Sequence, residues 1–137
     1  MADTFTKEKR SDIMSRIRSK DTGIEKLVFR HLRRKKIYFQ KHYKRVGGCP
    51  DIAIPSRKIA VFIDGDFWHG YKFDKWKDRV PKEYWRNKIE SNIVRDRRNR
   101  MRLKRNGWKV MRIWGHQLIK SPEKTLGRIE AFISQTP

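Results

Sequence analysis

The sequence predicts an α/β fold in which a mixed central sheet is flanked by helices, in the order ααβββαβα. Three observations point to it. Two short apolar runs, Asp51 to Ile54 and Ile59 to Ile63, are separated only by Pro55-Ser56-Arg57-Lys58, which reads as a hairpin turn. A third run, Trp108 to Trp114, follows a long helical stretch that Gly107 stops. A tight turn makes antiparallel neighbours, and a helical crossover returns a parallel strand, so the sheet is mixed and helices cover its faces.

The elements follow in order. From about Lys7 to Ser19 a basic segment carries Ile13, Met14 and Ile17 at helical spacing. Asp21-Thr22 starts a second helix with Ile24, Leu27, Val28 and Leu32 inward, and Thr22-Gly23-Ile24-Glu25 reads as a capping box. His31 falls on the apolar face of that helix, as a hydrogen-bonded core residue would. Ile37 to Tyr43 reads as a strand and Gly47-Gly48 as a turn. With the next turn centred on Ser56-Arg57, Asp51 lies opposite Phe62 and beside Ile63, so the Asp51 carboxylate and the Ile63 carbonyl can share a metal. A helix from about Glu83 to Asn106 and a last one from about Ser121 to Ser134 complete the chain. At 137 residues, with no repeat or low-complexity linker, 1–137 reads as one domain.

Charge sets the partner class. Lys and Arg number 36 against 15 Asp and Glu, a net +21 that a monomeric enzyme of small metabolites does not need, so a polyanion is expected. Aromatic residues interleave with the basic ones, and no run approaches membrane-spanning length or reads as a signal peptide. Nucleic acid is therefore the expected partner, with no membrane. One cysteine, Cys49, excludes an intrachain disulfide and a cysteine zinc site, and fits a reducing cytoplasm.

The candidate chemistry sits between Cys49 and Gly70. Asp51 opens one strand, and Asp64-Gly65-Asp66-Phe67-Trp68-His69-Gly70 follows the next. Clustered carboxylates repel one another without a cation, and Mg²⁺ takes such oxygen ligands with phosphate and water, so Asp51, Ile63 and Asp64 are the expected ligands. His69, on a loop at the mouth of the site, suits the abstraction of a proton from water at neutral pH. At about 100° per residue, Asp96 points with Trp85, Ile89, Ile93 and Leu103 along the inward stripe, while Arg95 and Arg97 leave the helix elsewhere. An inward carboxylate needs a partner, either His69 or another arginine. Glu25 serves as a cap or bonds to a metal-bound water. Phe67, Trp68 and Trp85 suit either core packing or insertion between base pairs, as does Met14, and Arg95, Arg97 and Arg98 suit a phosphate track.

Arg10-Ser11 with Met14, Asp21 to Lys26, Pro50-Asp51, Phe67-Trp68-His69, Tyr84-Trp85 with Lys88-Ile89, Asn92, Arg95-Asp96-Arg97-Arg98 and Gly107-Trp108-Lys109-Val110 together resemble the very short patch repair endonucleases, from about Arg10 to Ile119. The resemblance implies a restriction-endonuclease-like core, a basic N-terminal helix on DNA, and Mg²⁺-dependent nicking beside the thymine of a T:G mismatch in double-stranded DNA by a cytoplasmic monomer. It implies Asp51 and the Ile63 carbonyl on Mg²⁺, His69 activating water with Asp96, and Glu25 as a further active-site acid. It also implies that Phe67, Trp68 and Trp85 intercalate beside the mismatch and that Met14 enters from the minor groove. A restriction- or homing-type endonuclease on the same core is the alternative enzyme. A non-catalytic DNA-binding protein is the alternative outside enzymes.

Two departures from the resemblance stand out. Asp64 occupies a position where the best-known member has His, which puts a carboxylate where a phosphate contact stood. The Cys and His that often bind a structural zinc are replaced by Asp66, Phe73 and His116. No zinc is expected; an Asp66–His116 pair packed by Tyr71, Phe73 and Trp76 is expected in its place, and stoichiometric zinc in the purified protein would contradict this.

Overall fold

The computed structural model describes residues 23–80 and 82–135, so the segment about Lys7 to Ser19, with Met14, lies outside the described residues, as does Thr22 of the expected capping box. Helix α1 (Gly23–Arg34) is followed by strands β1 (Gln40–Lys41), β2 (Ile52–Ile54) and β3 (Ile59–Asp64). Helix α2 (Glu83–Arg105), strand β4 (Lys109–Trp114) and helices α3 (Gly115–Lys120) and α4 (Pro122–Gln135) complete the order. The four strands lie in the order β1-β2-β3-β4, antiparallel except for the parallel β3–β4 pair. The mixed α/β fold expected from the sequence is therefore present. Among the described helices, none is long and apolar enough to cross a membrane.

The hairpin has the register that its turn imposes. Ile54 pairs Ile59, Ala53 pairs Ala60 and Ile52 pairs Val61, which carries Asp51 to a position facing Phe62. Alternation along β3 then separates two cores. Ile59, Val61 and Ile63 join Val28, Phe29 and Leu32 of α1, Leu118 of α3, and Leu126, Ile129 and Ile133 of α4. Ala60 and Phe62 join Leu103 of α2 and the half-buried Trp108 and Val110. Helices thus cover both faces, which is why all six residues of β3 are buried. Asp64 continues the Ala60-Phe62 side and so falls on the α2 face.

Two expectations need correction. The strand read from Ile37 to Tyr43 shrinks to Gln40–Lys41, because His42 takes a left-handed conformation at φ +49 and ends the ladder. The chain nevertheless stays beside β2: the His42 N–H donates to the Asp51 carbonyl at 3.0 Å, and that of Tyr43 to the Pro50 carbonyl at 2.9 Å. The second correction is α3, an added helix directly after β4. The sequence predicts no element over 115–120, yet the Gln117 side chain accepts the Trp114 N–H at 2.9 Å and starts a new turn.

Between β3 and α2 an aromatic loop builds a third cluster, with Phe73, Val80 and Ile89 buried and Phe67, Trp68, Trp76, Trp85 and Ile93 around them. Gly70 lets that loop close on α2. Its φ is +72, and a Cβ there would overlap the Ile93 side chain and press on Ile89 at 3.2 Å. Gly70→Ala is accordingly expected to lower stability by about 1–3 kcal/mol through overpacking and backbone strain together. Urea unfolding measures it, and an unchanged midpoint would contradict the packing.

Candidate active site

Two groups of acids and histidines meet where β3 ends. In the first, α1 contributes Glu25, the segment after β1 contributes His42, and the residue before β2 contributes Asp51; Glu25 and Asp51 are buried at 2% and 8% exposure. The Ile63 N–H donates to Asp51 Oδ2 at 2.6 Å, so the two residues adjoin as the hairpin register implies, through the N–H. His42 Nε2 lies 3.3 Å from Glu25 Oε1 and 3.9 Å from Asp51 Oδ1. Burial, reinforced by the Glu25 hydrogen bond, pushes the Asp51 carboxyl up to about 9, against the pull of the Ile63 N–H.

The second group holds Asp64, His69 and Asp96. His69 Nδ1 lies 2.5 Å from Asp96 Oδ2, and its Nε2 lies 3.6 Å from Asp64 Oδ1. Turn hydrogen bonds fix the loop behind it, from the His69 N–H to the Gly65 carbonyl at 3.2 Å and from the Gly70 N–H to the Phe67 carbonyl at 3.2 Å. The buried Asn92 of α2 donates to the Trp68 carbonyl at 2.9 Å, tying the same loop to the helix that bears Asp96. Asp96 also lies within 3.7 Å of Arg112 Nη2 and of Arg95 Nη2, so Arg95 does not leave the helix elsewhere, as its position on the wheel had implied. A long flexible side chain reaches back over one residue, which helical direction alone does not forbid.

Arg112 accounts for the place of Asp64. Its Nε donates to Asp64 Oδ2 at 2.6 Å. Burial raises the Asp64 carboxyl, while the charges of His69 and Arg112 oppose the rise. Asp64 was expected beside Asp51 on a metal; instead its oxygens face an arginine and the His69 ring, because alternation in β3 turns it to the α2 face.

Chemically, the first group fits a small divalent cation. Its three donor atoms lie within 4.8 Å of one another, two are carboxylate oxygens, and Asp51 Oδ1 is the oxygen the Ile63 N–H leaves free. The second group fits proton transfer, since a histidine oriented through Nδ1 by a carboxylate presents Nε2 as an acceptor.

The remaining predicted residues are also located. Phe67, Trp68 and Trp85 are half-buried and in contact as a set: Phe67 stacks on Trp76 with ring centroids 5.5 Å apart, Trp68 meets Phe67 edge-on at 5.1 Å, and Trp85 meets Trp68 at 5.3 Å. Arg95, Arg97 and Arg98 are exposed on α2. Asp66 and His116 form the expected pair, Oδ2 to Nδ1 at 2.8 Å, with the Tyr71 ring 4.4 Å from His116 and the Trp76 indole donating to the Tyr71 carbonyl. His31 meets Glu130 at 3.1 Å, satisfied as expected.

Sequence reasoning missed His42 and Arg112. His42 stands in the basic run Lys41 to Arg45 with no periodicity to single it out. Arg112 did carry a signal, being a charge among Val110, Met111, Ile113 and Trp114 in a strand read as apolar.

Comparison with known proteins gives concordant matches. The family described as DNA mismatch endonuclease Vsr matches residues 2–75. The chain is 37% identical to the type II nicking enzyme V.HpaIIP of Haemophilus parainfluenzae over 125 residues, covering 89% of each chain. It is 37% identical to the type II nicking enzyme V.XorIIP of Xanthomonas oryzae pv. oryzae, over 96% of this chain and 93% of that one. It is 34% identical to the DNA mismatch endonuclease Vsr of Escherichia coli, over 83% and 74% respectively.

Proposed function

The chain belongs to the Vsr DNA mismatch endonuclease family, and from that premise we propose that it nicks one strand of double-stranded DNA beside the thymine of a T:G mismatch, in a reaction that requires Mg²⁺. The mixed sheet with helices on both faces is read as the restriction-endonuclease-like core, working as a cytoplasmic monomer in one domain. The observation that carries the reading is the His69–Asp96 contact, which leaves His69 Nε2 as the proton acceptor beside a second group of buried acids.

Asp51 would hold the Mg²⁺, with the Ile63 carbonyl, and with Glu25 and His42 at its side. The bound ion supplies positive charge to the phosphate and to the leaving oxygen. His69 takes the proton of the attacking water at Nε2, and Asp96, accepting from Nδ1–H, holds the ring's tautomer and stabilises the imidazolium that results. Asp64 is assigned to this proton-transfer side. Phe67, Trp68 and Trp85 are proposed to enter the base stack beside the mismatch, with Met14 opposite, and Arg95, Arg97 and Arg98 to track phosphates. A mismatched pair costs less to unstack than a matched one, which gives such a wedge a basis for selectivity.

The test is the rate of nicking in Mg²⁺ on duplexes that differ at one pair. The expected result is cutting of T:G about 10²-fold or more faster than C:G or T:A. Equal rates on matched DNA would replace mismatch repair with a restriction- or homing-type activity, and tight binding with no cutting would leave a DNA-binding protein.

A further inference from the structure

We propose that Arg112 is a positioning residue for DNA cutting, holding Asp64 and Asp96 in the arrangement that keeps His69 Nε2 open to water. The inference rests on the reading of His69 as the base.

Arg112 lies at the centre of β4, level with Phe62 of β3, and alternation with Trp108 and Val110 turns it to the α2 face. On that face its neighbours at the β3–β4 pair are Ala60, Phe62, Trp108 and Val110, with Asp64 at the strand end. The guanidinium lies over the Trp114 ring, 3.9 Å from its centroid, and reaches two acids from different elements. Nε donates to Asp64 Oδ2 at 2.6 Å, and Nη2 lies 3.7 Å from Asp96 Oδ2, the oxygen that meets His69 Nδ1. Nη2 is buried and has no hydrogen-bond partner among the described residues. Arg100 stands close by, and burial together with the Arg112 charge makes its guanidinium less basic than usual.

Stability alone does not account for this arrangement. A buried ion pair is commonly matched or bettered by apolar residues of similar volume, and an unsatisfied donor adds cost. The position has a functional account instead. His69 stands between two carboxylates, Asp96 at Nδ1 and Asp64 at Nε2. With Asp64 free to close on the ring as Asp96 does, its carboxylate would occupy the place at Nε2 that the attacking water needs. Arg112 engages Asp64 through Nε and so keeps that carboxylate off Nε2, while its second arm steadies Asp96. A planar fork can span the two acids where an ammonium meets only one.

Single-turnover cutting of a T:G duplex in saturating Mg²⁺ tests this, with DNA affinity measured separately. Arg112→Met is expected to lower kcat about 10²-fold with the DNA KM changed less than about threefold, since the lost function lies in the transition state alone. Adding Asp64→Asn to it is expected to recover at least about tenfold, because a neutral amide is drawn to the ring less strongly than a carboxylate and leaves Nε2 open to water. A merely structural arginine gives no such rescue. Should Arg112→Met fail to fold, Arg112→Lys reads the same point, with an expected loss in kcat of about tenfold at unchanged KM. Wild-type kcat in either single variant, or no recovery in the double variant, would overturn the assignment. His69→Ala run alongside separates the two readings: if it is inactive, those results remove the role of Arg112 alone, and if it cuts normally, the base and its positioning residue fall together.

Discussion

His69→Ala is expected to lower the nicking rate on a T:G duplex by about 10²–10⁴-fold, the range for removal of a positioned general base. Duplex affinity should hold, because the ring faces Asp96 and Asp64. Asp96→Asn should act in the same direction by a smaller factor. An amide in place of Asp96 Oδ2 can present its NH₂ to Nδ1, which favours the tautomer that closes Nε2 to the water's proton. Quench-flow measurement of both variants checks this. A His69→Ala enzyme within tenfold of wild type would remove the base, whatever its DNA affinity.

The second large effect belongs to Asp51. Asp51→Asn is expected to reduce nicking about 10³-fold, the equivalent of about 4 kcal/mol of transition-state stabilisation lost with the cation. The same variant should be more stable than the wild type when divalent ions are chelated. Burial and Glu25 raise the Asp51 carboxyl from 3.8 to about 9, so above the unfolded value the folded chain retains a proton that the unfolded chain has released. Stability is then lost as pH rises from about 4 to about 9. The Asn variant has no such loss, so its advantage in thermal unfolding should widen between pH 5 and pH 9. Mg²⁺ works in the opposite direction in the wild type, because it binds the ionised carboxylate and its affinity grows with pH over that range. A stability difference that is flat with pH would contradict the buried position of Asp51.

These two sites were unequally legible. The hairpin was readable because Pro55 to Lys58 leaves little freedom of turn length, and turn length sets register; Asp51 opposite Phe62 followed directly. Asp96 was readable because helical periodicity assigns a face, and its approach to His69 came from asking what an inward carboxylate meets. Asp66 and His116 were readable only through the resemblance, as the positions that stand in for its zinc ligands; parallel β3 and β4, which finish together, bring them within reach of one another.

What escaped has a common cause. Periodicity gives the direction of a side chain and says nothing of the partner that arrives from elsewhere in the chain. His42 reaches Glu25 and Asp51 only because its backbone turns left-handed after a two-residue strand, and a non-glycine residue rarely does so. Asp64 was read as a metal ligand from its neighbours in sequence, before Arg112, 48 residues on, was seen to take one of its oxygens. The aromatic trio shows the same limit in another form. Phe67, Trp68 and Trp85 pack into a cluster around Phe73 and Ile89 and yet stay half-buried, so packing leaves part of each ring accessible and does not by itself decide their role.

The central claim is a single Mg²⁺-dependent nick beside the mismatched thymine. It is tested most directly by wild-type protein acting on a T:G duplex labelled on both strands, with Mg²⁺ or with EDTA. The account predicts one product, from the thymine strand alone, cut next to that thymine and absent in EDTA. Cutting of both strands, a cut away from the mismatch, or a nick that persists in EDTA would contradict it.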